Sequence, residues 1–219
     1  MLTYADIKKD EAIRTYIRKA DESLLALGYT EHSFAHVTKV AEAARYILGT
    51  LGYSDREIEL ASIAAYLHDI GNIFNRIANS QSGAIMAVRL LYNRGMDAEE
   101  LATVVTAIGN HDEGTGVPVN PISAALILAD KSDVRRSRVR NHDIASFDIH
   151  DRVNYSVTES KLEISDDKKL IALSLTIDTE YGSVSDYFEI FLERMILCRK
   201  AAKTLGMKFR LIINSQTLM

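Results

Sequence analysis

Proline is almost absent from this chain: its 219 residues hold only Pro118 and Pro121. Proline removes a backbone donor and collides with the preceding helical turn, so its scarcity leaves long uninterrupted helices open nearly everywhere. Helical periodicity takes up that freedom over the first two-thirds. Apolar positions over 5–27 are loosely helical and stop at Gly28. A second helix begins near Thr30 or Ser33, carries Val37, Val40, Ala41, Ala44 and Leu48, and ends around 49–52. Ser54 and Glu57 form an S-x-x-E capping box for a third, whose stripe is Leu60, Ile63, Ala64 and Leu67 and which Gly71 ends. A fourth runs over about 80–92. Asp97 caps a fifth with Leu101, Val104, Val105 and Ile108, and Ile122, Ala125, Leu126 and Ala129 mark a sixth beyond the proline loop.

Near residue 145 the period changes. Val153, Tyr155 and Val157 alternate with polar residues, as do Ile171, Leu173, Leu175 and Ile177, with Asp166-Asp167 suited to the turn between two strands. An amphipathic helix over about 185–205 and a closing strand over 209–213 follow. The expected fold is mostly α: a helical bundle over 1–145 and a small α+β subdomain, β-β-α-β, over 146–219. Composition adds exclusions. A single cysteine, Cys198, rules out an internal disulfide and a zinc site built on several thiolates. A net charge of −4 speaks against a basic nucleic-acid coat. The first twenty residues lack the apolar run of a signal peptide, and the weakly polar run 117–129 is too short for a bilayer. A cytoplasmic protein with no membrane partner is expected.

Four of the helices extend an apolar face into a histidine or carboxylate. His36 lies four residues before Val40, and His68 lies four after Ala64 with Asp69 beside it. His111 is three beyond Ile108, and Asp130 is four beyond Leu126. A buried imidazole or carboxylate is costly unless paired or bound to metal, and several aimed into one interior point to a metal centre. Its expected ligands are His36, His68, Asp69 and Asp130. Such mixed nitrogen and oxygen ligation suits one divalent ion of Mn, Fe, Co, Ni or Zn better than Mg. Open positions on that ion favour metal-assisted hydrolysis.

The order His36, then His68-Asp69, then Asp130 is carried by HSFAHVTKVAEAA, LHDIGN, IGNHDEGTGVP and ALILADKSDV. Over about residues 30–135 it resembles the HD-domain superfamily of metal-dependent phosphohydrolases. The resemblance implies a helical fold and hydrolysis of a phosphomonoester, phosphoanhydride or phosphodiester, frequently of a nucleotide. Some mononuclear nucleotidases of that superfamily carry a glutamate acid/base three residues after the HD aspartate. The cyclic-dinucleotide phosphodiesterases of the HD-GYP branch carry a lysine there, and this chain has Asn72. HDEGTGVP is similar to the HHE…DGxGYP segment of that branch, but shortened, with Asp112 for its second histidine and Val117 for its tyrosine. The binuclear enzymes of that branch place a ligand histidine before the Gly-Ala of the next helix, whereas the stretch before Gly83-Ala84 reads ANSQS, so the resemblance implies one metal rather than two. A non-catalytic sensor and a cyclic-dinucleotide phosphodiesterase stand as alternatives.

The expected catalytic residues are Asp69, His111 and Asp112, with His111 binding phosphate or protonating the leaving group and Glu113 a further alternative. A basic run follows Asp130, comprising Lys131, Arg135, Arg136, Arg138 and Arg140, and arginine forks fit phosphate oxygens well. Lys131, Arg135 and Arg136, with Asn72 and Arg76, are therefore the expected substrate-binding residues. His32 shares a face with His36, whereas His142 and His150 read as solvated. The expected partner is a small phosphorylated molecule, a nucleotide first among them. Nucleic acid is not expected, since no aromatics interleave the basic run. Tyr187, Phe188 and Phe191 read as core or homodimer contact, and no Walker-type or dinucleotide glycine pattern is present.

Overall fold

A computed structural model describes residues 1–219 as nine α-helices followed and interrupted by a four-stranded sheet. The helical part comprises α1 (Tyr4–Lys9), α2 (Glu11–Ala26), α3 (Phe34–Leu51), α4 (Asp55–Leu67), α5 (Asn79–Tyr92), α6 (Ala98–Gly109) and α7 (Pro121–Ser132). Then come α8 (Ile149–Ser156), β1 (Val157–Ile164), β2 (Leu170–Ile177), α9 (Val184–Thr204), β3 (Lys208–Ile213) and β4 (Gln216–Thr217). The fold is mostly α with a small C-terminal α+β part. No helix is long and apolar enough to cross a membrane.

The caps follow the sequence closely. Ser54 and Glu57 close a reciprocal capping box on α4, Ser33 caps α3, Asp97 caps α6, and Asn120 caps α7 with Pro121 in its first turn. Two expectations are corrected. The single helix over 5–27 is two helices, because Asp10 leaves helical geometry and its carboxylate accepts the Ile13 N–H as cap of α2. Its other oxygen takes Arg94 Nε at 2.7 Å, which fixes the break. Val153 and Tyr155 are helical rather than extended, because Asp148 caps α8 and only Val157 begins a strand. Alternation of Val, Tyr and Val over five residues fits either period, and the cap decides.

The sheet order is β1-β2-β3-β4, with β2 and β3 parallel and the outer pairs antiparallel. Its parallel pair is joined by α9, which packs on α7 as well as on β3. Ile171, Leu173, Leu175 and Ile177 face inward from β2, and Tyr187 and Phe191 of α9 are core residues. One apolar cluster of 51 buried residues runs from Ile7 to Ile213 across residue 145, where the chain makes a single 3-10 turn, Ile144–Ser146.

The turn after α4 matters most for the site. Helix α4 stops at Leu67, so His68 and Asp69 sit at its C-terminal end, and a 3-10 turn over Ile70–Ile73 follows. Gly71 packs against the start of α5 so closely that a Cβ would lie 2.0 Å from the Asn79 carbonyl oxygen and 2.6 Å from the Gly83 nitrogen. Backbone on both sides cannot yield without moving Asp69. We predict that Gly71→Ala lowers the unfolding free energy by about 1–3 kcal/mol, measured as a urea midpoint shift. A midpoint equal to the parent's would mean that this contact is looser than described.

Candidate metal centre

Four buried side chains from three helices and the turn after α4 converge. His36 Nε2 lies 3.5 Å from Asp69 Oδ2 and 3.3 Å from Asp130 Oδ1. His68 Nε2 lies 3.2 Å from Asp69 Oδ2 and 3.6 Å from Asp130 Oδ1. These separations suit a shared ligand, yet His36 Nε2, His68 Nε2 and Asp69 Oδ2 have no hydrogen-bond partner and no access to water. Buried polar atoms without partners are rare because each retains its desolvation cost. His111 adds to the cluster, with its ring centroid 5.0 Å from that of His68, and His68, Asp69 and His111 also present donor atoms within 4.8 Å of one another.

The histidine rings are oriented through their other nitrogen. His68 Nδ1 is 2.7 Å from the Ala65 carbonyl oxygen and His111 Nδ1 is 2.6 Å from that of Ile108. Each ring thus donates Nδ1–H to one of the carbonyls that a helix C-terminus leaves without a partner. His36 Nδ1 is 2.8 Å from Asp133 Oδ2. In all three rings Nε2 is the nitrogen that faces the cluster, the arrangement of metal-ligating histidines held by a carboxylate or carbonyl. The residues present fit a divalent ion.

The carboxylates are held with equal care. Asn72 Nδ2 and Asn79 Nδ2 donate to Asp69 Oδ1 at 3.0 and 2.9 Å, which leaves Oδ2 for the cluster. Lys131 Nζ lies 2.7 Å from Asp130 Oδ2, opposite the oxygen near the histidines, and 3.2 Å from Glu113 Oε2. Arg194 of α9 donates to Glu113 Oε1 at 2.6 Å. Asp133 also takes Lys39 Nζ at 2.9 Å and Arg135 Nε at 3.0 Å. Burial alone would push these carboxyls up. The cations and imidazoles around them outweigh it, so Asp69, Asp130, Asp133 and Glu113 all lie below the usual carboxylate range. For His68, burial opposes charging, but Asp69 and Asp130 dominate and raise it to about 10.

Residues 33–138 match the family model of the HD domain. That segment, just under half of the chain, is similar to an HD domain. An uncharacterized protein of Methanocaldococcus jannaschii is 24% identical over 205 residues, spanning 83% of this chain and 78% of that one. A predicted HD superfamily hydrolase from an uncultured Thermotogales bacterium, solved as a crystal structure, is 25% identical over 59% of this chain and 72% of its own, with a TM-score of 0.43. HD domains bind divalent metals, and the His and Asp groups described above could hold one.

A cavity of about 410 Å³ adjoins the HD site. His32, whose ring stands edge-on to His36 at 5.5 Å, lines it together with Arg76, Arg138 and Arg194. Arg76 belongs to the expected substrate-binding set and is in reach of it, 3.7 Å from Asp112. Arg135 and Arg136 are not. The chain leaves α7 at Ser132, so the basic run is not a helix face beside Asp130. Arg135 is spent on Glu31, Asp133 and Ser137. Arg136 bonds the Tyr155 carbonyl and Asp178, and stacks on the Tyr155 and Tyr181 rings. Lys131 is buried under Asp130 and Glu113 rather than open to a ligand, and Asn72 is committed to Asp69. Asp112 lies 3.4 Å from His111 Nε2.

Sequence reasoning missed Asp133, Asn79 and Arg194. Asp133 lies three residues after Asp130 and was legible as a second carboxylate on that turn; Asn79 and Arg194 gave no local signal, because tertiary packing delivers them. His150, read as solvated, is exposed yet contributes to the cavity lining.

Two outcomes follow. Asp133→Asn removes the carboxylate that orients His36 and is expected to weaken divalent-metal affinity about 10–100-fold, read by competition with a chromogenic chelator; an unchanged constant would remove Asp133 from the site. A proton on His68 Nε2 competes with the ion. Because His68 is raised to about 10, metal affinity should rise as pH increases from 6 to 9, by roughly tenfold per unit for one displaced proton. A flat profile would mean that His68 Nε2 does not meet the metal.

Proposed function

We propose that this chain is a metal-dependent phosphohydrolase that removes a phosphoryl group from a small phosphorylated molecule, a nucleotide or a metabolite, in the cytoplasm. The observation that carries the reading is the pairing of unpartnered, water-excluded acceptor atoms at the cluster with a cavity lined by three arginines. His36, His68, Asp69 and Asp130 would hold one divalent ion, with Mn, Fe, Co, Ni and Zn the best match to two imidazoles and two carboxylates. Such an ion supplies Lewis acidity toward a phosphoryl oxygen and lowers the pKa of water beside it.

The chain's own residues supply the rest. Arg138 uses Nε and Nη1 on the carbonyls of Glu31 and Asp133, and Arg194 uses Nε on Glu113. Each retains N–H groups without a protein partner, which suits binding of phosphoryl oxygens and neutralises charge that grows there in the transition state. Two imidazoles can move a proton. His32 donates Nδ1–H to the Thr30 carbonyl oxygen at 2.7 Å, and burial holds it well below its ordinary value, so its Nε2 is a free acceptor beside His36. His111 is held in the same state, its value lowered by burial, beside His68. A neutral ring whose N–H is already used suits a proton acceptor or a metal ligand better than the proton donor expected of His111. With Asn72 committed to Asp69, these imidazoles replace the acid/base that the position would otherwise carry.

The second donor group shares His68 and Asp69 with the main site and brings only His111 as a new ligand, so a single ion is favoured over the pair that a cyclic-dinucleotide phosphodiesterase would need. The rival reading is a sensor, favoured by the link from α9 through Arg194, Glu113 and Lys131 to Asp130. The test is metal content on protein purified without chelators, with hydrolysis of p-nitrophenyl phosphate and nucleoside monophosphates by the same sample. We expect about one ion per chain, turnover abolished by chelation and restored by one of the five metals, and loss of both in Asp69→Ala and His68→Ala with helical circular dichroism retained. Full activity in either variant would sink the assignment. Metal binding without turnover on any ester would favour the sensor.

A further inference from the structure

The cavity beside the HD site has two chemically distinct linings. Arg76, Arg138 and Arg194 offer only donors, and the previous section assigns them to phosphate. Helix α8 contributes the opposite kind of group: Asp148, Asp151 and Asn154. Asp151 is only 8% exposed, yet no Lys or Arg pairs with it. Its contacts are the Asn141 amide at 3.4 Å, on Oδ2, and the neighbouring Asp148, and burial together with Asp148 pushes its carboxyl up. Asp148 uses Oδ1 to accept the Asp151 N–H as cap of α8. Asn154, 5% exposed, donates Nδ2–H to the His150 carbonyl oxygen at 3.0 Å. One oxygen each of Asp148, Asp151 and Asn154 is therefore an acceptor with no donor. Asp148 is exposed, and all three residues line the cavity, where hydroxyl donors of a ligand can meet these oxygens.

Few apolar groups share the lining. Phe191 is one, and the Arg194 guanidinium already stacks on its ring at 4.0 Å. The cavity thus asks for a ligand with an anion at one end and several hydroxyl donors at the other, with little flat apolar surface. Carboxylates accept from vicinal sugar hydroxyls in this way, and the volume lies within the range of small-molecule sites.

We propose that the substrate is a sugar phosphate, free or as the ribose phosphate of a nucleotide, whose vicinal hydroxyls donate to Asp148, Asp151 and Asn154. This rests on the phosphohydrolase reading for the placement of the phosphate at the arginines. Helix α8 and Arg194 both lie beyond the matched HD segment, so the C-terminal extension supplies the selectivity and part of the phosphate site.

The test is calorimetric titration of metal-loaded full chain with inorganic phosphate, ribose 5-phosphate, 2-deoxyribose 5-phosphate and AMP. Ribose 5-phosphate should bind at least about tenfold tighter than phosphate, and loss of the 2-hydroxyl should weaken it several-fold. Asp151→Asn should erase that advantage while leaving phosphate affinity unchanged. Asp148→Asn, which preserves the helix cap, should reduce the advantage and guards against a folding defect in the buried variant. AMP tighter than ribose 5-phosphate identifies a nucleotide as the source of the sugar, and AMP weaker identifies the free sugar phosphate. Equal binding of phosphate and ribose 5-phosphate, or an advantage intact in both variants, overturns the proposal. Sugar-dependent binding without hydrolysis upholds it and overturns the enzyme reading instead. Absence of any phosphate binding removes both.

Discussion

Everything in the helical part turns on a shortage of hydrogen-bond donors at one buried point. Three imidazoles have spent their N–H on Asp133, Ala65 and Ile108, and the nitrogens left over face carboxylate oxygens rather than donors. Asp69 has one oxygen bound by two amides and one by nothing. Folds seldom leave such atoms dry, because each carries a desolvation cost of about a kilocalorie per mole or more. The architecture around the point maintains that shortage. Helices α4 and α6 both end just before it, so that their last carbonyls fix a histidine tautomer, and α3 and α7 bring in His36 and Asp130 from their inward faces.

This arrangement explains why so much was legible in the sequence. His36, His68 and Asp130 continue apolar stripes, and His111 follows one, so helical periodicity alone aims them inward; the capping residues Ser33, Ser54, Asp97 and Asn120 set where each helix starts. Periodicity carries no information about what happens once a helix ends. Arg135 and Arg136 follow Asp130 closely in sequence, but the chain turns at Asp133, and the two guanidiniums find Glu31 and Asp178 instead of a ligand. The α8 segment fails for a related reason. Val153, Tyr155 and Val157 satisfy a strand pattern, while the Asp148 cap, a single hydrogen bond, commits the first two to a helix.

Residues delivered by tertiary packing were invisible for a different reason. Asn79 reaches Asp69 because Gly71 lets the start of α5 approach within what would be a clash for any other residue. The glycine was readable as a helix stop, but its second role, admitting another backbone, has no sequence signature. Arg194 is 81 residues from Glu113, the carboxylate it binds.

That long-range pair also shows why the C-terminal extension is not a passive addition. Glu113 is half of a buried couple with Lys131, and Lys131 is already engaged by Asp130. One ammonium between two carboxylates leaves net negative charge in a low-dielectric interior, where the cost of an unbalanced charge is large. The guanidinium of Arg194 offsets that charge: α9 packs on α7 and brings it to Glu113, while it stacks on Phe191 of its own helix. The matched segment 33–138 therefore contains the clustered donors and most of the groups that hold them, Asp133, Asn72, Asn79 and Lys131 among them, but not Arg194. Arg194 thus ties the chain of ion pairs through Glu113 and Lys131 to Asp130 into α9, beyond that segment.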